Sequence, residues 1–559
     1  MRRIGTKTLA LSCAFVLLAG ACGKKGTTAT STTKAGATPG ATASPTGGAA
    51  KSGGTFRQPI GEPKAIDPYA SRESEGINVT RALFVGLVSL DNKTAEIKPA
   101  LAESMNANTD CTEWTFKIKK GTKFSNGEEV TAQSFIDGWT RAAGEKAASA
   151  VASHMSGIVG YKELHGKKDT PATATTFSGL SAPDPNTLVV KLSPGDCEFD
   201  KKVLHSVFSP VPKDAGAFDN KTYNEAPIGN GPFMIKPGTK WEHDKSISLV
   251  KNPTYTLGTV YLDAVEYVIY PGQDSLANGY KALQAGDVDY ARVPSSLLKQ
   301  SESTYKPDGG WIAKDTFGIN YILPNNAKGP MANADARRAV SYAIDRDAIS
   351  TGVYQGTQTS ATALVPPPFK NFFQDGVCDA CKHDAAKAKE AAQKGGLTAG
   401  THIKLAYNND GGHEALVQAW KDQLETTLGV VVDLDGVPFA ELLTKEDEGD
   451  FDIARSAWSA DYPTPDNFLY PLLGSDSGDD TAKYNNPAFD DLIKKERAAK
   501  TDAERKPTIQ QAEKLAIGTD VALIPTFYRT QFRAFDAKKW TGVDLDFFEN
   551  PTLDTIQPK

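Results

Sequence analysis

Arg455, Trp458 and Asp461 are spaced three residues apart, and their types suit a site that binds a molecule charged at both ends. If residues 451–457 form a strand, period-two alternation places Arg455 on the same face as Phe451 and Ile453, where a guanidinium needs a partner. Asp461 follows where the prolines of the next turn end the strand. A cation, an indole and a carboxylate along one strand end fit a zwitterion whose charges lie several residues apart, and a peptide is such a molecule.

The same three residues also have purely structural interpretations. Arg455 pairs in this case with Asp452 or with a neighbouring strand, Asp461 caps the turn before Pro463, and Trp458 is a core aromatic. The residue types alone leave both interpretations open.

The chain that must position these residues is long enough for several domains. It has 559 residues, which exceeds what one hydrophobic core organises, so two or three domains are expected. Hydrophobic content of 40% and charged content of 23% are typical of a soluble globular protein. The net charge of -6 argues against nucleic acid as a partner.

The N-terminal segment predicts export. Residues 1–21 have early cations, an apolar run and small residues, which is the layout of a secretory signal. Leu18-Ala-Gly-Ala-Cys22 resembles a bacterial lipobox, which implies cleavage before Cys22 and a lipid on that cysteine, although Ala19 stands where Leu is usual. A secreted protein with a free Cys22 is the alternative. Residues 23–54 contain no large apolar side chain, so we expect a disordered tether.

Four cysteines lie beyond the export segment, and an even number in an oxidising compartment favours disulfides. They are Cys111, Cys197, Cys378 and Cys381. Cys378 and Cys381, with His383 nearby, also suggest zinc, but no second cysteine pair has similar spacing, so a local disulfide is favoured. Cys111 with Cys197 is then the other expected bridge.

Local patterns predict an alternation of helices and strands. A half-buried strand is expected around Trp114, a helix capped by Thr131 follows, and an amphipathic helix over 419–428 leads into a strand over 430–434. Further helices are predicted within 78–88 and over 335–349, and glycines with positive φ are expected in the turn 229–232. This alternation indicates an α/β protein.

The common motifs of enzymes are missing from the sequence. It contains no Gly-x-Ser-x-Gly elbow, no His-Glu-x-x-His helix and no phosphate-binding Walker loop. The segment around Asp433 resembles a calcium loop, but Val431 and Leu442 occupy its first and last ligand positions. We therefore expect a binding protein without catalytic residues, cofactor or metal.

Several motifs, in their order along the chain, resemble the peptide-binding class of ABC-transporter extracellular solute-binding lipoproteins, family 5, which includes the oligopeptide and dipeptide binders. They include Leu-Phe-x-Gly-Leu, Pro-Ala-Leu-Ala-Glu-Ser, Lys-Phe-Ser-Asn-Gly and Ile-Gly-Asn-Gly-Pro-Phe. The matching segments are 83–87, 99–104, 114–116, 123–127, 208–213, 227–233, 251–255, 285–289, 335–346 and 524–525.

The resemblance implies an α/β bilobal clamp of the type II periplasmic-binding-protein kind, with three domains and a discontinuous first domain. The expected boundaries are a signal peptide over 1–21, a lipidated cysteine and linker over 22–54, domain I over 55–88, 211–315 and 526–559, domain II over 89–210, and domain III over 316–525. A strand hinge joins the lobes, which close around the ligand.

The resemblance also assigns roles to residues of the Arg-x-x-Trp-x-x-Asp pattern. Asp461 binds the α-amino group of a peptide, Arg455 binds a carboxylate, and Trp458 forms a wall of the cleft. Main-chain groups of Ala457 and Ser459 pair with the peptide. Weaker candidates for peptide contact are Asn408, His413, Phe439 and Tyr528.

The expected partners are an oligopeptide, the permease subunits of an ABC importer and the membrane, which the protein reaches through its lipid. The expected location is the outer face of the bacterial cytoplasmic membrane, and the expected state is a monomer. Two alternatives stay open: the same fold with another solute, such as a sugar, a metal chelate or a signalling peptide, and a secreted hydrolase.

Overall fold

The structure is a computed structural model that describes residues 51–166, 170–272 and 274–559. The predicted signal peptide, Cys22 and nearly all of the predicted tether lie outside these residues. None of the described helices is both long and apolar enough to cross a membrane.

The described chain alternates strands and helices, as the sequence patterns predict. In chain order, the strands are β1 (Thr55–Ile60), β2 (Val88–Leu90), β3 (Ile97–Pro99), β4 (Ala102–Ala107), β5 (Glu113–Ile118), β6 (Leu180–Asp184), β7 (Thr187–Lys191), β8 (Phe233–Ile235), β9 (Ser246–Lys251), β10 (Ala264–Ile269), β11 (Tyr290–Arg292), β12 (Trp311–Pro324), β13 (His402–Asn408), β14 (Val431–Val437), β15 (Ile453–Ser459), β16 (Ile524–Phe535), β17 (Trp540–Thr541) and β18 (Gln557–Pro558). The helices are α1 (Ser74–Leu83), α2 (Ala132–Ala143), α3 (Tyr161–His165), α4 (Phe199–Lys202), α5 (Lys221–Glu225), α6 (Ser275–Ala285), α7 (Leu298–Tyr305), α8 (Ala334–Ala343), α9 (Arg346–Tyr354), α10 (Ala385–Gly395), α11 (Glu414–Leu428), α12 (Phe439–Glu448), α13 (Asp466–Leu473), α14 (Pro487–Ala498) and α15 (Asp502–Glu513).

Two four-stranded sheets build the part of the molecule that we call lobe A. One sheet has the order β1-β10-β9-β8, and its core includes Phe56, Phe233 and Tyr267. The other has the order β4-β5-β7-β6, and its core includes Phe116 and Trp139. The second sheet packs against α2, which begins directly after Thr131 as predicted.

A six-stranded sheet with the order β11-β16-β12-β15-β13-β14 builds most of the remaining structure. The core around β12 to β15, which we call lobe B, includes Ile319, Ile453 and Trp420. The long strands β12 and β16 run from one lobe into the other, because Ile312 and Phe535 pack with the core of lobe A while Ile319 and Phe527 belong to lobe B. Their ladder shifts register between the pairs at Asp315 and Ile319.

Three local predictions were wrong in detail, and two of them concern a helix over 335–349 and the glycines of the turn 229–232. The helix predicted over 335–349 is two helices, α8 and α9, because Ile344 is extended and the Asp345 carboxylate accepts the N–H of Ala348 at 2.9 Å and caps α9. Gly229 and Gly231 have no positive φ. Glycine is required there because a Cβ would lie 1.9 Å and 2.6 Å from backbone atoms of Leu83.

Helix α1 is also shifted from its predicted place within 78–88, since it spans Ser74–Leu83 and ends where Phe84 is extended. Among the described residues there are two disulfides, Cys111–Cys197 and Cys378–Cys381. The first ties the segment before α4 to the loop before β5.

Candidate functional site

Strand β15 has one edge that is open beyond Ala454. Its other edge pairs with β12 along its whole length, and Ala460 N–H donates to Phe317 O at 2.8 Å. Because antiparallel residues alternate, this bond directs the N–H and C=O groups of Ala457 and Ser459 away from β12. Strand β13 pairs with β15 only as far as Ala454, so within the described ranges no strand covers the main chain of these two residues.

Arg455 is held near this edge by neutral partners. Its guanidinium donates to Asn320 Oδ1 at 3.1 Å and to Asn408 Oδ1 at 3.5 Å, and its buried Nε has no acceptor among the described residues. Burial lowers the pKa of Arg455 to about 10, and neighbouring Arg529 and Arg292 act in the same direction. The cation is therefore oriented by amides and lacks an anion. This does not fit pairing with Asp452, whose carboxylate accepts the N–H of Lys404.

Trp458 and Asp461 are fixed by one amide that the sequence did not indicate. Asn467 Oδ1 accepts Trp458 Nε1–H and the backbone N–H of Asp461, both at 2.9 Å. Asn467 is fully buried in the first turn of α13. It sets the orientation of the indole and the position of the carboxylate together.

The Asp461 carboxylate meets two histidines of lobe A. Its Oδ2 lies 3.7 Å from His154 Nε2, and its Oδ1 lies 3.6 Å from His205 Nε2. Burial, with the charge of Asp479, raises the pKa of Asp461 to about 7. Burial also lowers the pKa of His154 to about 4 and that of His205 well below its ordinary value. Both rings are therefore neutral at pH 7, and among the described residues no lysine or arginine forms an ion pair with the carboxylate.

The three side chains could in principle hold a metal ion, since their ligand atoms lie within 4.8 Å of one another. However, Val207 N–H donates to His205 Nδ1 at 3.1 Å, so the neutral ring carries its proton on Nε2, the atom that faces Asp461. A metal ligand needs a lone pair on that atom and a donor at the other nitrogen. The Nε2–H of His205 therefore faces the carboxylate at 3.6 Å, which is beyond hydrogen-bond distance and does not fit a metal ligand.

Ion pairs join the lobes beside Asp461. Lys202 Nζ lies 3.1 Å from Asp466 Oδ2, and Arg505 Nη1 lies 2.8 Å from Glu198 Oε1. Each of these four side chains is at most 8% exposed. The site is therefore enclosed by lobe A as well as by lobe B.

The weaker candidates divide into two groups. Asn408 binds Arg455, and burial lowers the pKa of His413, with the charge of Arg455 acting in the same direction. Phe439 is half-buried, and its N–H donates to Asp410 at 3.0 Å. Tyr528 does not join them: it is buried in lobe B, and its hydroxyl accepts the N–H of Thr362 at 3.1 Å.

Tyr528 faces away from Arg455 because of its register. It is the cross-strand partner of Ile319, whereas Asn320, which binds Arg455, is the partner of Phe527. Neighbouring residues of a strand point to opposite faces, so Tyr528 and Arg455 lie on opposite sides of the sheet.

Comparison with known proteins identifies the family of the chain. The family model described as "Bacterial extracellular solute-binding proteins, family 5 Middle" matches residues 96–480. The chain belongs to family 5 of the bacterial extracellular solute-binding proteins. The resemblance to its oligopeptide- and dipeptide-binding class is thereby confirmed, and the family is one of transport proteins rather than enzymes.

Relatives of this family 5 protein cover most of its length. It is 29% identical over 483 residues to the oligopeptide-binding protein OppA of Bacillus subtilis, which covers 84% of this chain and 86% of OppA. It is 31% identical over 498 residues to the periplasmic oligopeptide-binding protein OppA of Salmonella typhimurium, with 86% and 88% covered. It is also 28% identical over 481 residues to the probable deoxycholate-binding periplasmic protein YgiS of Escherichia coli, with 84% and 86% covered.

Solved structures confirm the fold of the family 5 protein. The murein tripeptide binding protein MppA of Escherichia coli superposes with a TM-score of 0.79 at 24% identity, over 91% of this chain and 99% of MppA. OppA of Haemophilus influenzae in complex with RPPGFSPFR gives a TM-score of 0.76 at 23% identity, over 91% and 99%. The fold is the three-domain type II periplasmic-binding-protein fold, as predicted.

Proposed function

We propose that this protein captures oligopeptides between lobe A and lobe B and delivers them to the permease of an ABC importer. The observation that carries the proposal is the open edge of β15. Near one end of this edge is the guanidinium of Arg455, and beyond the other end is the carboxylate of Asp461; neither forms an ion pair with a described lysine, arginine, aspartate or glutamate. The two residues are six positions apart, which is about 20 Å in an extended chain. A peptide laid along this edge brings a charge of the required sign to each end.

The main chain of the peptide supplies affinity without sequence preference. The exposed N–H and C=O groups of Ala457 and Ser459 repeat every second residue, as in β-sheet augmentation. This edge accepts any peptide backbone, and the side chains alternate toward and away from the sheet.

Asp461 is the proposed ligand of the peptide ammonium group. Its carboxylate is 14% exposed, and its neighbours His154 and His205 are neutral at pH 7. In such surroundings a charge-assisted contact contributes about 1.5–3 kcal/mol, because water screens it little. Trp458, fixed by Asn467, forms the adjoining wall of the cleft.

Closure of the lobes is proposed to enclose the peptide. In this proposal domain I comprises 55–88, 211–315 and 526–559, domain II comprises 89–210, and domain III comprises 316–525. The strands β12 and β16 form the hinge, and the Lys202–Asp466 pair forms when the lobes meet.

The location follows from the proposed export signal. We propose that Cys22 carries a lipid and holds the protein at the outer face of the cytoplasmic membrane. Wild-type protein should then fractionate with membranes, and Cys22→Ser should not. Equal membrane association of both forms would contradict the anchor.

The amine role is tested with pentaalanine carrying a free or an acetylated N-terminus, using isothermal titration. Wild type should bind the free peptide more tightly by about 30-fold or more, since an unpaired buried charge costs roughly 2–5 kcal/mol. Asp461→Asn should bind both peptides equally. The exposed Asp433 on β14 serves as a matched control, because Asp433→Asn should keep the wild-type ratio.

The result that would refute the amine role is an unchanged ratio in Asp461→Asn. If neither peptide binds wild type, the peptide ligand itself is wrong. Mass spectrometry of small molecules that co-purify with the protein would then identify the other solute.

A further inference from the structure

Four arginines lie on one face of the six-stranded sheet. Arg292 on β11 is the cross-strand partner of Arg533 on β16, so their side chains share a face. Arg529, four residues before Arg533, donates to Ser459 Oγ on β15 at 2.9 Å. Ser459 and Arg455 are four residues apart on β15 and share the same face. The pKa values of His413 and Tyr354 each respond to Arg292, Arg455 and Arg529, so these cations surround one space.

Only one of the four arginines has an anion as a partner among the described residues. Arg529 Nη2 lies 2.8 Å from Glu549 Oε2. Arg533 instead donates to the hydroxyl of Tyr290 at 2.9 Å and to the amide oxygen of Gln531 at 2.7 Å.

Arg455 and Arg292 are the cations that remain for a ligand. Arg455 donates to two amides, and Arg292 makes neither an ion pair nor a side-chain hydrogen bond with the described residues. The Arg292 side chain is exposed, but the protein around it and the charges of Arg533 and Arg529 lower its pKa to about 10.

Besides Glu549, the carboxylate that acts on the pKa of Arg292 is Glu75, and Glu75 does not neutralise the arginine. Glu75 on α1 has a pKa raised to about 7, because it is buried beside Glu73. Its negative charge is therefore incomplete at neutral pH. Like charges gathered on one face of the sheet repel one another, so an anion brought by the ligand is stabilised there.

We propose that Arg292 binds an acidic side chain of the ligand, so that the protein selects peptides that carry Asp or Glu in addition to the C-terminal carboxylate. The inference rests on the proposed peptide function. Arg455 is the proposed partner of the C-terminal carboxylate, so a second anionic group of the ligand is needed to pair Arg292. Through the ladders, Arg292 is level with Ile312 of β12 and Arg455 with Ile322, so the two arginines stand at different places along the sheet and approach the ligand from different sides.

The test uses pentaalanine peptides with a single Glu or Gln at position 2, 3 or 4, measured by isothermal titration. At one or more positions wild type should bind the Glu peptide about 10-fold to 100-fold more tightly than the Gln peptide. Arg292→Gln should reduce this ratio to about threefold or less, and Arg292→Lys should keep part of it, since the charge remains. Arg338→Gln, outside the cluster, should keep the whole ratio.

Three results would overturn the inference. The first is a Glu to Gln ratio near one at every position in wild type, and the second is a wild-type ratio retained in Arg292→Gln. The third is that Arg292→Gln no longer prefers peptides with a free C-terminal carboxylate over peptides with a C-terminal amide. Arg292 and Arg455 would then bind the same carboxylate. Failure of wild type to bind any of the peptides refutes the proposed function instead, so the two failures are distinguishable.

Discussion

Lys202 of lobe A and Asp466 of lobe B form a buried ion pair with 3.1 Å between Nζ and Oδ2. Asp466 also accepts from Arg497 at 3.2 Å, and Lys202 lies 2.6 Å from Asp196 within its own lobe. Each partner therefore keeps one counter-charge if the lobes separate. The ion pair between the lobes therefore stabilises the closed form, and an open form lacks it.

Lys202→Met should weaken peptide binding by destabilising the closed form. A charge-assisted contact contributes about 1.5–3 kcal/mol, so the dissociation constant should rise about 10-fold to 150-fold, chiefly through faster dissociation. Stopped-flow dissociation of a labelled peptide measures this directly.

The exposed ion pair between Lys494 and Asp491 within α14 supplies the matched control, and Lys494→Met should leave the dissociation rate unchanged. Lys202→Met should weaken free and acetylated peptides by the same factor, because the pair acts on closure. A dissociation rate equal to that of wild type would show that the pair does not contribute to closure.

Peptide affinity should depend on pH through Asp461. Its pKa is about 7 without ligand, and a bound ammonium group lowers it, so binding requires the ionised form. Affinity should be greatest between pH 7 and pH 8, fall by up to about tenfold per pH unit below that range, and fall again above it, because the peptide ammonium, with an ordinary pKa of about 8, loses its proton. Titrations between pH 5 and pH 8 would check this.

The other charged groups around Asp461 do not account for that pH window. The pKa of His154 is about 4 and that of His205 is lower than its ordinary value, so both stay neutral there. Arg81 and Arg72 are further charged side chains that act on Asp461, and their charges oppose the burial that raises its pKa. Asp479, with a raised pKa, could add to the effect, so Asp461→Asn is the decisive comparison: its affinity should lose most of the pH dependence.

Arg455→Ala should remove the preference for a free C-terminal carboxylate over an amide. The wild-type preference should be about 10-fold or more for peptides long enough to reach the guanidinium, as expected of a charge-assisted contact. Isothermal titration with peptides of increasing length measures it. Preference for the free N-terminus should persist, because that belongs to Asp461, and loss of both preferences together would point to a general disruption of the cleft.

The sequence predicts the strand that carries the site but not all the residues that complete it. Arg455 and Asp461 are recognisable because a cation on an apolar strand face and a carboxylate before prolines are local anomalies. His154 and His205 lie more than 250 residues before Asp461 and meet it only when the lobes come together. No local pattern distinguishes them from histidines that are simply packed.

The other discrepancies also arise from tertiary structure. Tyr528 follows a recognisable Ile-Pro motif, but the cross-strand register directs it to the other face of the sheet. Arg292 occupies an ordinary strand position, and only the absence of an anion among its described neighbours makes it unusual. Whether an anion lies near Arg292 depends on the whole fold, so local sequence patterns do not predict it.

The two disulfides should differ in what they contribute to stability. Cys111–Cys197 closes a loop of 86 residues, for which chain entropy gives about 4–5 kcal/mol, whereas Cys378–Cys381 has a separation of 3 and gives about 2 kcal/mol. Replacing each pair by alanines should therefore lower the melting temperature more for the first pair. If replacing Cys378 and Cys381 lowered the melting temperature more, contacts in the native state rather than loop closure would determine what each disulfide contributes to stability.

The register shift between β12 and β16 has a consequence for hydrogen exchange. The ladder is already interrupted between Asp315 and Ile319, so the strand halves on either side can turn relative to each other without breaking a continuous row of hydrogen bonds. For the proposed closure, amides within these two strands should exchange at the same rate with and without peptide. The slowing on binding should instead be confined to the exposed edge of β15 and to the segments around Lys202 and Asp466.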